Sequence, residues 1–135
     1  MDLPTIVPVD SQADVERARR IARRLATEHG FGATTTECIA IAVSELGSNL
    51  IRYARSGRIS ARVVRQGKRT GIEIESTDRG PGIPDVELAL QDGYSSAHGL
   101  GSGLPGIARL MDDFEIASDA TGTRIRTRKW LNAGS

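Results

Sequence analysis

Ile72-Glu73-Ile74-Glu75-Ser76-Thr77-Asp78-Arg79-Gly80-Pro81-Gly82 alternates like a strand and then breaks at two glycines. Side chains of a strand alternate between faces, so Ile72, Ile74, Ser76 and Asp78 share one face and Glu73 and Glu75 the other. Asp78 therefore points where the isoleucines point, toward the core. A carboxylate there is unfavourable unless something hydrogen-bonds it. When ionised it can only accept, so Asp78 wants an N–H donor such as the exocyclic amine of a base. Gly80 and Gly82 let a ring approach the backbone closely. Taken alone, the same stretch is also what a tight turn with an aspartate turn former produces.

Working outward, Arg58 to Arg65 forms the preceding strand, joined to this one by the polar loop Gln66-Gly67-Lys68-Arg69-Thr70. Upstream, Thr5 to Val9 reads as an edge strand, because Pro8 lacks the N–H that an interior strand needs. A helix follows, with Ser11 and Asp14 in capping-box spacing, Val15, Ala18, Ala22 and Leu25 on one face, and Gly30 as its stop. Arg17, Arg20, Arg23 and Arg24 lie on its other face, a solvated surface or a docking site for an acidic partner. The second helix is predicted from Thr35 to Arg55, with Thr34 and Glu37 in capping-box spacing and Ser56-Gly57 at its end. Ile39, Ala42, Val43, Leu46, Leu50 and Tyr53 form its buried stripe. Glu45 and Asn49 are one turn apart at the margin of that stripe, half inside.

Downstream, the pattern predicts a short helix from Asp85 to Gln91, a loop rich in glycine and serine through Gly103, and a helix from Pro105 to Met111. Phe114 to Ser118 and Thr123 to Trp130 are then strands flanking a turn at Ala120-Thr121-Gly122. Arg124, Arg126 and Arg128 share a face of the last strand, and pairing with Glu73 and Glu75 predicts an exposed ion ladder. Cys38 and Trp130 read as packing residues, His29 as a contact at a helix C-terminus, and His98 as a solvated loop residue.

Composition limits the classes of function. The chain has 135 residues and a formal net charge of +1, which suits one folded domain spanning residues 1–135. Cys38 is the only cysteine and there are two histidines, so neither a disulfide framework nor a zinc site is expected, and a reducing cytoplasm fits. Met1-Asp2-Leu3-Pro4 does not resemble a signal peptide, and no apolar run is long enough to cross a bilayer, so no membrane association is expected. Eighteen basic residues are balanced by 17 acids with few aromatics, so no nucleic-acid partner is expected. Glycine occurs 15 times, and seven of these fall between Gly80 and Gly106.

That cluster holds a second candidate, Gly99-Leu100-Gly101-Ser102-Gly103-Leu104-Pro105-Gly106. Successive free N–H groups leading into a helix N-terminus make an anion site, for which phosphate is the natural ligand. The spacing from Gly101 to Gly106 matches the dinucleotide fingerprint, but no strand precedes it. Neither a Walker lysine nor the downstream lysine and catalytic loop of protein kinases is present. A flexible loop without a ligand is the plainer alternative. The third candidate is the Glu45 and Asn49 pair, a carboxylate able to act as general base and an amide oxygen able to ligate Mg²⁺, against the plainer reading of a half-exposed helix edge.

In this order the three elements resemble the GHKL ATP-binding superfamily, and the resemblance covers nearly the whole chain. Glu45-Leu46-Gly47-Ser48-Asn49 resembles the N box, in which the glutamate is the base and the asparagine holds magnesium. Asp78-Arg79-Gly80-Pro81-Gly82 resembles the box whose aspartate receives the adenine amine, Gly99 to Gly106 the lid over the phosphates, and Gly122-Thr123 the final box. The implied fold is α+β: a single-domain, two-layer sandwich with a mixed, mostly antiparallel sheet and helices on one face. The length leaves no room for a phosphoacceptor or transducer domain, which points to the anti-sigma serine/threonine kinases. Asp92-Gly93-Tyr94-Ser95-Ser96, Arg109-Leu110-Met111-Asp112 and Lys129-Trp130 are most similar to the RsbT-type switch kinases of stressosome signalling.

The resemblance implies that ATP binds with its adenine against Asp78 and Thr123, backed by Ile83 beside Gly80 and Gly82. Asn49 holds Mg²⁺, and Gly99, Leu100, Gly101, Ser102, Gly103 and Leu104 close over the phosphates. Glu45 takes the proton of a serine or threonine hydroxyl on a STAS-domain protein, with a phosphatase or sigma factor as a further partner. One departure stands out: between Gly82 and Gly99 the only basic residue is His98, so the lid arginine of some relatives has no counterpart. Arg52, one turn past Ser48, is assigned its charge-stabilising role. The alternative from another class is a nucleotide-dependent binding switch without phosphoryl transfer. The two glycine groups are expected to separate experimentally. A bulkier residue at Gly82 should abolish nucleotide binding, whereas one at Gly101 should slow phosphoryl transfer more than binding, as read by titration and by labelled-ATP transfer.

Overall fold

A computed structural model of the chain describes residues 3–53, 56–79 and 103–131. The elements run β1 (Thr5–Val9), α1 (Gln12–Glu28), α2 (Ala33–Tyr53), β2 (Gly57–Gln66), β3 (Arg69–Asp78), α3 (Gly103–Leu110), β4 (Asp113–Asp119) and β5 (Gly122–Trp130). The strands form one sheet in the order β1-β2-β3-β5-β4. A mixed, mostly antiparallel sheet was expected, and among the described residues all four pairings are antiparallel. Between β1 and β2 the reason is connectivity: two helices in succession carry the chain up and back, whereas a parallel neighbour is usually reached through a single crossover helix.

Among the described residues, helices cover only the inner face of the sheet. Val7 and Val9 on β1, Ile59, Ala61 and Val63 on β2, Ile72 and Ile74 on β3 and Ile125 on β5 are all buried there. They meet Val15, Ala18, Ala22 and Ala26 of α1, Ile39, Ala42, Val43, Leu46 and Leu50 of α2, and Leu104 and Ile107 of α3. The predicted apolar stripes are thus the buried ones, except that Ala26 takes the position expected of Leu25, which is only partly buried, and that the Tyr53 side chain lies outside what is described. The two long helices lie close together at Gly47, where a Cβ would stand 2.6 Å from Val15 Cγ2. Among the described residues, no helix is long and apolar enough to cross a membrane.

Element ends follow local chemistry. The Asp14 carboxylate accepts the backbone N–H groups of Asp10 and Ser11 at 2.9 and 3.2 Å, which holds its carboxyl pKa below the usual carboxylate range. Gly30, at φ +90°, follows α1, and His29 Nδ1 lies 2.9 Å from the Leu25 carbonyl at that helix end. The cap expected from Thr34 and Glu37 is not how α2 starts. The helix begins at Ala33 with the Thr36 N–H donating to the Gly32 carbonyl at 2.9 Å. Glu37 is instead engaged by Arg23 of α1 through two hydrogen bonds of 3.0 and 3.2 Å. An interhelical partner outcompeted the local one. The loop between β2 and β3 is also tighter than expected: Gln66 pairs with Arg69, leaving Gly67 and Lys68, with Gly67 at φ +61° as a two-residue hairpin requires.

The outer face carries the charges. Glu73 pairs in register with Arg128 on β5 and Arg62 on β2, and both guanidinium groups donate to it at 2.8 Å. The ladder expected to be exposed is therefore partly buried, because two arginines cover Glu73 down to 4% exposure. Arg126 is held by Glu115 of β4 rather than by Glu75. At the far edge Trp130 is buried, its indole N–H donating to Asp113 at 2.8 Å and the Arg69 guanidinium 4.0 Å above its ring.

Burial by itself pushes the Glu73 carboxyl up, but its hydrogen bonds to Arg62 and Arg128 outweigh that and hold it below its ordinary value of 4.5. A depressed carboxyl contributes stability that is complete above its ordinary value and is lost as pH falls through the lower folded value. Glu73→Gln should therefore lower stability at neutral pH by about 1–2 kcal/mol, since the arginines remain partly hydrated. It should also flatten the loss of stability below about pH 4.5, which denaturant melts across pH would measure.

Candidate functional site

The inner face of the sheet turns polar at one end. Along β3 the inward positions run Ile72, Ile74, Ser76, Asp78, and along β4 they run Phe114, Ile116, Ser118, while β5 enters at Thr123 before Ile125. Asp78 is the register partner of Thr123, and Thr123 that of Ser118. Three polar side chains thus meet where the apolar stripe ends, each half-buried. An open concavity of about 340 Å³ at this end of the sheet is lined by Asp78, Ser118 and Thr123 and also by Thr77, Ala117 and Arg124, which are register partners on the opposite face.

The hairpin between β4 and β5 is built for this closeness. Asp119 accepts the Thr121 N–H at 2.8 Å and its hydroxyl at 2.6 Å, which holds the Asp119 carboxyl below the usual range. Gly122 then lies against β3, and a Cβ on it would fall on the Asp78 carbonyl oxygen. Glycine at this position is what lets Thr123 come level with Asp78.

The other candidates stand on α2. Glu45 and Asn49 are half-buried, as the helical wheel predicts, and Arg52 is exposed in the last turn. Topology brings that helix end to the same end of the sheet. Tyr53 ends α2, Gly57 opens β2, and Arg58 is the register partner of Thr77, next to Asp78. Gly57 is pressed against α2, since a Cβ there would stand 2.8 Å from Leu50 Cδ2. α3 packs on α2, and its Leu104 side chain is fully buried. Gly103 is the first residue of α3. Gly80, Gly82, Ile83, Gly99, Leu100, Gly101 and Ser102 lie outside the described residues, as do His98 and the helix expected from Asp85 to Gln91.

Sequence reasoning missed Ser118. Its Oγ lies 2.8 Å from Thr123 Oγ1. The signal was available in the alternation of β4, where Ser118 continues the Phe114 and Ile116 face as a polar residue, just as Asp78 continues that of Ile74.

Acceptor, hydroxyls and a flush glycine at a sheet end, beside a helix carrying a carboxylate and an amide, suit a nucleotide. The histidine kinase-like ATPase domain family matches residues 9–129, and the chain belongs to that family. The chain is 41% identical over 132 residues to Serine/threonine-protein kinase RsbT of Bacillus subtilis (strain 168), the match covering 97% of this chain and 99% of that one. Two solved structures share the fold. The RsbU and RsbW domains of a Mycobacterium tuberculosis protein superpose with a TM-score of 0.67 at 18% identity, over 97% of this chain and 34% of that one. The histidine kinase domain of the blue-light activated kinase from Erythrobacter litoralis EL346 gives 0.52 at 20% identity, over 87% and 63%.

Gly122→Ala tests the polar end. The added methyl should push β5 from β3, weakening ATP binding at least about tenfold while costing about 1–3 kcal/mol of stability. Calorimetric titration and thermal melts measure the two.

Proposed function

We propose that the chain is a cytoplasmic serine/threonine-protein kinase of the RsbT type, which transfers the γ-phosphoryl group of ATP to a hydroxyl on a STAS-domain protein in a partner-switching stress pathway. A phosphatase or sigma factor is its further partner. The observation that carries the reading is the polar end of the sheet, with Asp78 and Thr123 in register beside the helix that bears Glu45 and Asn49. Near-full-length identity to a serine/threonine-protein kinase supports it.

Asp78 takes the amine of the adenine and Thr123 holds the ring edge. Glu45, at the rim of the core, takes the proton of the attacking hydroxyl. The glycines expected at the phosphates run from Gly99 to Gly106, of which the stretch from Gly103 onward lies among the described residues. Arg52 supplies positive charge to the phosphoryl group in flight, the role that positioning and electrostatics fill in such transfers. Among the described residues no three His, Cys, Asp or Glu side chains are grouped to hold a metal. A lone amide such as Asn49 suits Mg²⁺, an ion that keeps several waters and binds substrate phosphates. When bound, it neutralises charge on the β- and γ-phosphates.

Retention of both Glu45 and Asn49 favours chemistry over a binding switch, since affinity for nucleotide alone needs no base. Glu45→Ala should reduce label transfer from ATP to the STAS partner by about 100-fold or more while ATP still binds. Unchanged transfer would overturn the role of Glu45, and a stoichiometric complex of the unmodified protein with no transfer would overturn the kinase reading.

A further inference from the structure

The hydroxyl oxygens of Ser118 and Thr123 lie 2.8 Å apart across a register pair of β4 and β5, and both side chains line the concavity that Asp78 lines. A hydroxyl has one proton to give and two lone pairs to receive. Only one of the two protons can lie on the line between the oxygens, so within the pair one hydroxyl donates and the other accepts. We propose that Ser118 is a positioning residue that donates to Thr123 Oγ1, so that the Thr123 proton is aimed at the ring nitrogen beside the amine of an adenine base. The inference rests on the reading of Asp78 and Thr123 as the pair that holds the base.

The direction of donation follows from the ligand's edge. Asp78, ionised, only accepts, so it faces the amine. The next atom along that edge of adenine is an acceptor, which needs a donor. Thr123 supplies one, directly or through a bridging water, only if its proton is not already given to Ser118. A base with a carbonyl and a ring N–H in those places, such as guanine, would set its carbonyl oxygen against the Asp78 carboxylate and a second donor against the Thr123 proton. Ser118 thereby turns an ambiguous hydroxyl into a fixed donor and sharpens the choice of base.

Titration calorimetry with three nucleotides tests this: ATP, an ATP analogue in which that ring nitrogen is a carbon, and purine riboside triphosphate, which lacks the amine. The unmodified protein should bind the carbon analogue about tenfold more weakly than ATP, the worth of one hydrogen bond. Ser118→Ala, which leaves the Thr123 proton unaimed, should weaken ATP binding a few-fold and shrink the ratio between ATP and the carbon analogue, whereas Thr123→Val should bring that ratio close to one. Ser118→Thr, which keeps the hydroxyl, should keep the ratio. Thermal melts establish that each variant is folded. Equal losses for ATP and the analogue in Ser118→Ala, or an unchanged ratio, would overturn the proposal, because a purely structural role predicts no change in selectivity. The third nucleotide separates the two levels. If the unmodified protein binds purine riboside triphosphate as tightly as ATP, the base-holding role of Asp78 falls and the proposal with it. If that nucleotide binds weakly but Ser118→Ala keeps its ratio, only the role of Ser118 falls.

Discussion

Burial of one face of α2 against the inner face of the sheet is the contact on which the rest of the structure depends. Ile39, Val43 and Leu46 are at most 1% exposed, and Leu50 is 5% exposed. Each such side chain stabilises the fold by about 1.5–3 kcal/mol relative to exposure. With that face committed to the core, residues at its margin have no freedom left: Glu45 and Asn49 must emerge at the rim, one turn apart. Gly47 lets α1 lie close on the same helix, and Gly57 lets β2 begin directly under Leu50. The helix end and the polar end of the sheet thus come together through packing.

The two faces of the sheet divide the work. Inward residues of β2 and β3 are mostly apolar, β5 adds Thr127 and Lys129, which donate to the Ile74 and Leu110 carbonyls, and polar side chains gather at the end where Asp78, Ser118 and Thr123 meet. Many outward residues are charged, and the most buried of these, Glu73, ties three strands together through Arg62 and Arg128. A carboxylate so covered is tolerable because both its oxygens are hydrogen-bonded by cations. This outer network stiffens the centre of the sheet without occupying the inner face, which stays available for the helices and for a ligand at its polar end.

Most of the architecture was legible in the order of residues, since helices and strands announce themselves by periodicity. The α2 stripe and the alternation of β3 led directly to the half-buried positions of Glu45 and Asn49 and to the inward direction of Asp78. Local signals failed where a distant group competed. Glu37 has the spacing of a capping partner, but Arg23 on the neighbouring helix captures it. Glu75 has the spacing of a partner for Arg126, but Glu115, from the other side of β5, takes it. Gly122 reads from sequence as part of a turn, and its need for a hydrogen side chain appears only when β3 is placed against it.

By itself, the sequence determined the segments, their buried faces and the chemical types gathered for a nucleotide, because periodicity and glycine spacing are local properties of the chain. Tertiary structure alone decided the register. Asp78 opposite Thr123, Thr123 opposite Ser118, and the pairing of Glu73 with two arginines all depend on which residues of distant strands lie level. Side-chain periodicity is blind to a shift of two residues along a strand, and only the packing of the whole sheet against α2 selects among such registers.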